Sequence, residues 1–117
     1  MIKLLSLTGI KEINDFIKDN IKKVEHIKPV YGVEELYERI ESSEPDVIFL
    51  LEIFNSKDID TILIKIKKIV PHVKIIYVSI DSQVKNEELL NKLLIKDIFY
   101  GTFSISQLEK LINVYGD

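Results

Sequence analysis

Short apolar runs alternate with longer amphipathic segments from one end of the chain to the other. The most apolar run, at residues 47–51, is continuous rather than alternating, which is typical of a strand covered on both faces. Four further runs, rich in β-branched or aromatic residues, also have the length of strands. The predicted strands are residues 2–7, 24–30, 47–51, 73–79 and 98–100.

Each predicted strand is followed by a segment in which apolar residues recur at helical spacing, which predicts five helices. Phe16 belongs to the apolar stripe of the first helix. The fourth helix is expected to bury Leu89, Leu90, Leu93 and Leu94. Residues that commonly cap helices precede several of these segments. The predicted caps are Gly32, Asp58, Ser82 and either Ser104 or Ser106.

The third predicted helix carries three lysines, Lys65, Lys67 and Lys68, mostly on the side opposite its apolar stripe. We interpret this cluster as a solvated helix face, because charge runs on amphipathic helices usually face water. Contact with an acidic partner is the alternative.

Strict alternation of strands and helices predicts a parallel sheet with helices on both faces, since parallel strands need long crossover connections. Right-handed crossovers leave few topologies, and the leading one has the flavodoxin-like strand order 2-1-3-4-5. That order places residues 24–30 at an edge of the sheet, which suits Pro29 because proline lacks a backbone amide. The prediction is a single three-layer α/β/α doubly wound domain spanning residues 1–117.

Composition removes several classes of function. The 117 residues carry a formal net charge of -3, so they offer no surplus of positive charge to a phosphate backbone. Cysteine is absent, which excludes disulfides and thiolate chemistry. No apolar run approaches the roughly 20 residues that a transmembrane helix needs. We therefore expect a cytoplasmic protein that binds neither nucleic acid nor membrane.

The two histidines offer no metal site. His26 falls on the predicted edge strand, and His72 falls at the opposite end of the sheet from the carboxyl ends of the strands. Residues that far apart cannot share a metal ion or form a catalytic dyad.

In a sheet of this strand order, ligands bind beyond the carboxyl ends of the strands, at the switch point between the first and third strands. The loops at that edge contain Thr8-Gly9, Glu52, Ser79 and Gly101. We therefore expect any functional side chains to lie at these positions.

Pro45-Asp46 leads into the third strand, and the fourth strand ends at Ser79. Both features are similar to the response-regulator receiver (CheY-like) family, which the chain resembles over its whole length. The resemblance implies the CheY-like fold. The family's chemistry needs an acidic pair after the first strand and an Asp after the third, which together hold Mg²⁺ and accept a phosphoryl group. A Ser or Thr after the fourth strand and a Lys after the fifth bind the added phosphate.

Most of those functional positions are replaced in this chain. Thr8 and Gly9 stand where the acidic pair belongs, and Gly101 takes the place of the Lys. Leu51 falls at the phosphoacceptor position, with Glu52 one residue later. The offset matters because neighbouring side chains in a strand point to opposite faces. The predicted degenerate phosphorylation pocket consists of Thr8, Gly9, Leu51, Glu52, Ser79 and Gly101.

We therefore predict a pseudo-receiver that acts by protein contact, is not an enzyme, and needs neither a metal nor a cofactor. Glu52 is interpreted as a solvated residue at a strand end, with a fixed-charge mimic of a phosphorylated carboxylate as the alternative.

The segments at residues 97–101 and 104–106 are similar to the N-terminal receiver-like domains that precede MinD/ParA-type ATPase domains in pilus-assembly proteins. This resemblance implies a protein partner or a fused effector or ATPase domain. It also makes residues 1–117 a candidate N-terminal part of a longer protein.

Apolar and aromatic residues are dense around the fifth strand and fifth helix, more so than a short edge strand usually needs. We interpret them as a candidate interface for a partner protein or for a homodimer, with core packing as the alternative. The candidate interface residues are Phe99, Tyr100, Phe103, Ile105 and Tyr115.

Two other functions stay open at this point. One is a phosphate-accepting receiver of a two-component phosphorelay that uses Glu52 or a shifted register. The other is a small flavodoxin-like ligand binder, because residues 6–9 partly resemble the flavodoxin phosphate loop. A simple strand-to-helix turn at Thr8-Gly9 explains the same residues.

Overall fold

A computed structural model describes residues 1–81 and 86–116, with side chains through Val114. Strands and helices alternate along the chain as β1 Lys3–Leu7, α1 Lys11–Asn20, β2 Glu25–His26, α2 Val33–Ser43, β3 Val47–Leu51, a 3₁₀ turn Glu52–Phe54, α3 Ile59–Ile69, β4 Lys74–Ser79, α4 Glu87–Lys92, β5 Asp97–Tyr100 and α5 Ile105–Gly116. The helices in the described part of the chain lack the length and apolarity that a membrane crossing requires.

All strand pairs are parallel, and the sheet order is β2-β1-β3-β4-β5. The predicted doubly wound fold is therefore confirmed. β3 lies at the centre, and every residue in it is buried, as its continuous apolar run predicts.

The sheet separates two apolar clusters, because successive side chains of each strand point to opposite faces. Ile48 and Leu50 of β3 face a cluster with α2, α3 and α4. Val47, Phe49 and Leu51 face a second cluster with α1 and α5. Truncating a β3 residue therefore removes packing from one identifiable side of the sheet.

β2 is shorter than predicted, because only Glu25 and His26 form the strand. The amides of Glu25 and Ile27 donate to the carbonyls of Ile2 and Leu4 at 2.8 and 2.9 Å, after which the chain leaves the sheet. Pro29 follows and has no amide with which to continue the ladder. Residues 24–30 are an edge segment with a two-residue strand at its start.

Two residues assigned to apolar stripes are exposed. Phe16 is 50% exposed, and the buried face of α1 passes through Asn14 and Ile17 instead. Leu94 is 72% exposed with φ of +60°, because the chain reverses direction directly after α4. Of the four leucines assigned to this helix, Leu90 is fully buried.

The caps are partly as predicted. Gly32 and Asp58 precede α2 and α3, but the Asp58 side chain makes no capping hydrogen bond. Ser104 caps α5, since its Oγ accepts the amide of Gln107 at 3.1 Å, and Ser106 lies inside the helix. The predicted cap Ser82 lies outside the described residues.

Candidate functional site

Four neighbouring strand ends bring the predicted pocket residues together at one edge of the sheet. Leu7 of β1 pairs with Leu50 of β3, and Leu51 pairs with Val78 of β4. Ser79 pairs with Tyr100 at the end of β5. The loops that follow these strands therefore share the carboxyl edge, as the strand order predicts.

The first loop is tied to α1 by a buried polar cluster. Thr8 is fully buried, and its Oγ1 donates to Asn14 Oδ1 at 2.7 Å. Ser6 Oγ donates to the same oxygen at 2.8 Å, and Asn14 Nδ2 donates to the Tyr31 hydroxyl at 3.2 Å. Thr8 Oγ1 also accepts the amide of Ile10 at 3.1 Å, which makes the strand-to-helix turn. Thr8 therefore holds the loop in place.

Gly9 lies against the loop that follows β3. Its φ is +75°, and a Cβ atom built on it would lie 3.5 Å from Phe54 Cα and from the ring carbon Cδ1. Phe54 therefore packs directly over Gly9. The space between the first and third strand ends is occupied by this contact.

Leu51, which the resemblance places at the phosphoacceptor position, belongs to the core. Its side chain is 8% exposed and packs in the cluster with α1 and α5. A leucine has no oxygen that could accept a phosphoryl group. Chemistry at this edge would therefore fall to its neighbour, Glu52.

Glu52 turns its carboxylate towards the end of β4. Oε2 accepts the amide of Ile80 at 2.7 Å and lies 3.4 Å from the Ser79 hydroxyl, which donates to it. Glu52 is half-buried, because the 3₁₀ turn begins at this residue and folds the loop back onto the sheet. Glu52 therefore lies at a strand end, as predicted, but it is half-buried and its carboxylate joins two loops.

Gly101, which the resemblance places at the position of the family's Lys, contributes backbone geometry at the end of β5. Its φ is +80°, a conformation that favours glycine, and its amide donates to the Ser79 carbonyl at 2.8 Å. Ser79 is 2% exposed. Its hydroxyl donates to Glu52, and its carbonyl accepts the amide of Gly101.

The residues at this edge do not fit Mg²⁺. A magnesium site in proteins uses one or more carboxylates with free oxygen lone pairs and water ligands in an octahedron. Glu52 is the acid among the predicted pocket residues, and one of its oxygens already accepts two hydrogen bonds, while Thr8 is bound to Asn14. Among the described residues, no group of three or more His, Asp or Glu side chains converges on a common point.

A second polar cluster lies beneath the end of β4, and its residues were not identified from the sequence. Tyr77 is fully buried, and Asn86 Nδ2 donates to Asp60 Oδ1 at 2.7 Å nearby. Burial, with the Glu52 carboxylate close by, raises the pKa of Tyr77. Within residues 1–81 and 86–116, neither the Tyr77 hydroxyl nor Asn86 Oδ1 has a hydrogen-bond partner.

The candidate interface residues separate into core and surface. Phe103 packs edge-on against Phe49 with ring centroids 4.8 Å apart, and Phe99 and Ile105 pack against the same cluster. Tyr100 is 52% exposed at the end of β5. The side chain of Tyr115 lies outside the described part of the structure.

The histidines are separated as predicted. A ring nitrogen of His26 lies 2.6 Å from the Ile21 carbonyl at the sheet edge, whereas His72 is exposed before β4.

Neither a protein family model nor a curated protein sequence matches this chain. Solved structures do. A CheY-like receiver domain protein from Methanospirillum hungatei superposes with a TM-score of 0.83 at 16% identity, over 99% of this chain and 94% of that one. The receiver domain of a Francisella response regulator gives 0.82 at 21% identity, over 98% and 96%.

Two further structures extend the comparison. A putative pilus assembly-related protein from Burkholderia pseudomallei gives a TM-score of 0.74 at 9% identity, over 98% of this chain and 89% of that chain. NtrX from Brucella abortus gives 0.79 at 16% identity, and the chain spans 26% of its length. The sequence identities are low, but the superpositions cover nearly every residue. The chain therefore has the fold of the response-regulator receiver (CheY-like) domains along its whole length.

Proposed function

We propose that the chain is a receiver-like signalling module that acts by protein contact, without aspartyl phosphorylation. The solved structures that superpose on this chain include receiver domains of response regulators, which supports a regulatory role. The observation that carries the proposal is the state of the pocket. Leu51 is buried at the phosphoacceptor position, and Glu52 beside it already binds the Ile80 amide.

A carboxylate on the Ile80 amide and the Ser79 hydroxyl would do permanently what a bound phosphate does transiently, because both present an anion to the same donors. The β4 end is therefore held in one arrangement. On this proposal the module presents a constant surface and is regulated by the supply of its partner.

The experiment is a titration of the purified chain with Mg²⁺ and beryllofluoride, followed by amide chemical shifts. We expect no saturable shifts at Leu51, Glu52, Ser79 or Gly101. Saturable, Mg²⁺-dependent shifts at these residues would overturn the proposal.

Glu52→Gln is the matched variant for that titration, because it removes the charge and keeps an oxygen for the Ile80 amide. Shifts that occur in the wild type and vanish in Glu52→Gln would establish the alternative, a receiver that accepts phosphate on Glu52. The flavodoxin-like alternative is tested by adding FMN. Binding there is not expected, because the Thr8 hydroxyl is already bound to Asn14.

Tyr100 is the candidate interface residue that would contact a partner protein or a fused effector or ATPase domain. It is exposed at the end of β5, close to Ile80, which is itself 48% exposed. Loss of partner binding in Tyr100→Ser, with Phe16→Ser as a control on the opposite helical layer, would support this surface. Equal partner binding by both variants would show that Tyr100 is not part of the binding surface.

A further inference from the structure

α2 and α3 lie side by side over the same face of the sheet, and their outer surfaces carry opposite charge. Leu36 and Ile40 of α2 pack in one cluster with Ile62 and Ile66 of α3. The two helices also touch at the surface, where Lys65 Nζ lies 4.3 Å from the centre of the Tyr37 ring.

The outer surface of α2 is acidic. Glu34, Glu38 and Glu41 are all exposed and follow one another at spacings of four and three residues, so they lie on one side of the helix. We call these three residues the acidic stripe. Arg39, the basic residue of this helix, turns away from it and donates to the Lys28 carbonyl beside β2.

The outer surface of α3 is basic with an apolar floor. Thr61, Ile64, Lys65, Lys68 and Ile69 line a groove of about 370 Å³, and we call them the basic groove. Ile64 is 39% exposed there, off the buried stripe of its own helix. In the described residues, neither the acidic stripe nor Lys68 forms an ion pair within the chain.

An acidic stripe and a basic groove on adjacent helices make the face complementary to itself. A two-fold rotation about an axis parallel to the helices, passing between them, places α2 of one copy over α3 of the other. Both contacts then form at once, as in any isologous dimer. The methylene groups of the glutamates would cover Ile64 while the carboxylates reach Lys65 and Lys68.

We propose that the α2–α3 face binds a second copy of this chain, with the acidic stripe of each copy in the basic groove of the other. This inference rests on the proposed function, since it names one partner and one surface for a module that acts by contact. The homodimer would use the outer face of α2 and α3, so Tyr100 at the end of β5 stays available for another protein.

Charge reversal tests the arrangement. We expect the wild type to sediment as a concentration-dependent dimer. E34K/E38K and K65E/K68E should each raise the dimer dissociation constant at least about tenfold, because like charges then face each other. A 1:1 mixture of the two variants should restore most of the dimer, since the residues reversed in each variant then face opposite charges on the other, while only Glu41 of the first variant still faces like charge. Failure of the mixture to associate would overturn the proposal.

Several controls keep the test sharp. E12K/D19K makes the same charge change on exposed positions of α1 and should leave the dimer intact, as should Tyr100→Ser. Because Lys65 packs on Tyr37, T61E/K68E serves as a second basic-groove variant that leaves this contact in place. Salt should weaken the wild-type dimer, since the Debye length falls from about 10 Å at 0.1 M to about 3 Å at 1 M.

A wild type that stays monomeric at millimolar concentration would overturn the dimer alone. The proposed function would stand if beryllofluoride still produced no shifts. Saturable beryllofluoride shifts would overturn the proposed function whatever the oligomeric state.

Discussion

Asn14 and Tyr77 are single residues that place buried polar atoms beneath the carboxyl edge. Asn14 lies four residues after Ile10 and three before Ile17, so its place in the apolar stripe of α1 was readable from the sequence. Its partners were not, because they depend on the tertiary approach of β1 and α1. Tyr77 carries no such signal, since an aromatic residue in a strand is ordinary core.

The raised pKa of Tyr77 predicts a loss of stability at alkaline pH. The phenol titrates near pH 10.0 when unfolded and higher when folded, so its stabilising effect is complete below pH 10 and is lost as the pH rises above it. The free energy of unfolding should fall by up to about 1.4 kcal/mol per pH unit from this group. Urea unfolding of the wild type and of Tyr77→Phe at pH 8 and pH 11 measures this fall in the free energy of unfolding.

Tyr77→Phe should lose less stability between those two pH values. The substitution should cost little at pH 8, because among the described residues Asn86 and Glu52 lie close to the hydroxyl but none meets it at hydrogen-bond distance and angle. An equal alkaline loss in both proteins would contradict the assignment to Tyr77.

At the scale of single elements, α4 ends in a turn that two backbone hydrogen bonds define. The Ile95 amide donates to the Leu90 carbonyl at 2.9 Å, and the Leu94 amide donates to the Asn91 carbonyl at 3.1 Å. This is a Schellman motif, in which the residue after the cap adopts positive φ and glycine is preferred. Ile95 and Leu90 are both buried, which supplies the apolar contact that accompanies the motif.

Leu94→Gly should therefore stabilise the domain. The substitution relieves a non-glycine residue at φ of +60° and removes a side chain that is already 72% exposed. We expect the free energy of unfolding to rise by about 0.5–1 kcal/mol, measured by urea denaturation. Leu94→Ala, which removes the side chain but keeps Cβ, should show no comparable gain. A loss of stability in Leu94→Gly would show that Leu94 makes contacts that its exposure does not reveal.

Element type and order were predictable from the sequence, whereas element ends and loop contacts were not. The continuous run at Val47–Leu51 identified the central strand, because only a strand covered on both faces omits polar positions. The ends of β2 and α4 depended on Pro29 and on the backbone of Leu94. The direction of Glu52 depended on the 3₁₀ turn that begins at it, which no periodicity reveals.

At the scale of the whole molecule, one sheet serves two apolar clusters, and the same strands contribute to both. Phe49 packs with α1 and α5, while its neighbour Leu50 packs with α2, α3 and α4. If either helical layer detached, the apolar strand face that it covers would be exposed to water. The domain should consequently unfold as one cooperative unit.

Phe49→Ala and Leu50→Ala test this from opposite sides of the sheet. Each should lower the free energy of unfolding by about 3–4 kcal/mol, since both side chains are fully buried. In each variant, far-UV circular dichroism and tyrosine fluorescence should report one denaturation midpoint. Separate midpoints for the two probes would mean that one helical layer can detach alone.

Leu51 finally bears on how such a chain can evolve. At the position where the resemblance implies a phosphoacceptor, Leu51 contributes to the hydrophobic core, so an aspartate placed there would be buried among the side chains of α1 and α5. Burying an unpaired carboxylate costs several kcal/mol, against a total of about 5–15 kcal/mol for a typical domain. An acid at Thr8 would also lose the hydrogen bond to Asn14, and any side chain at Gly9 would be strained at its φ of +75°. Each of these substitutions should weaken the fold before it supplies an acceptor, so on the proposed function this packing makes the chain costly to convert into a phosphorylated receiver.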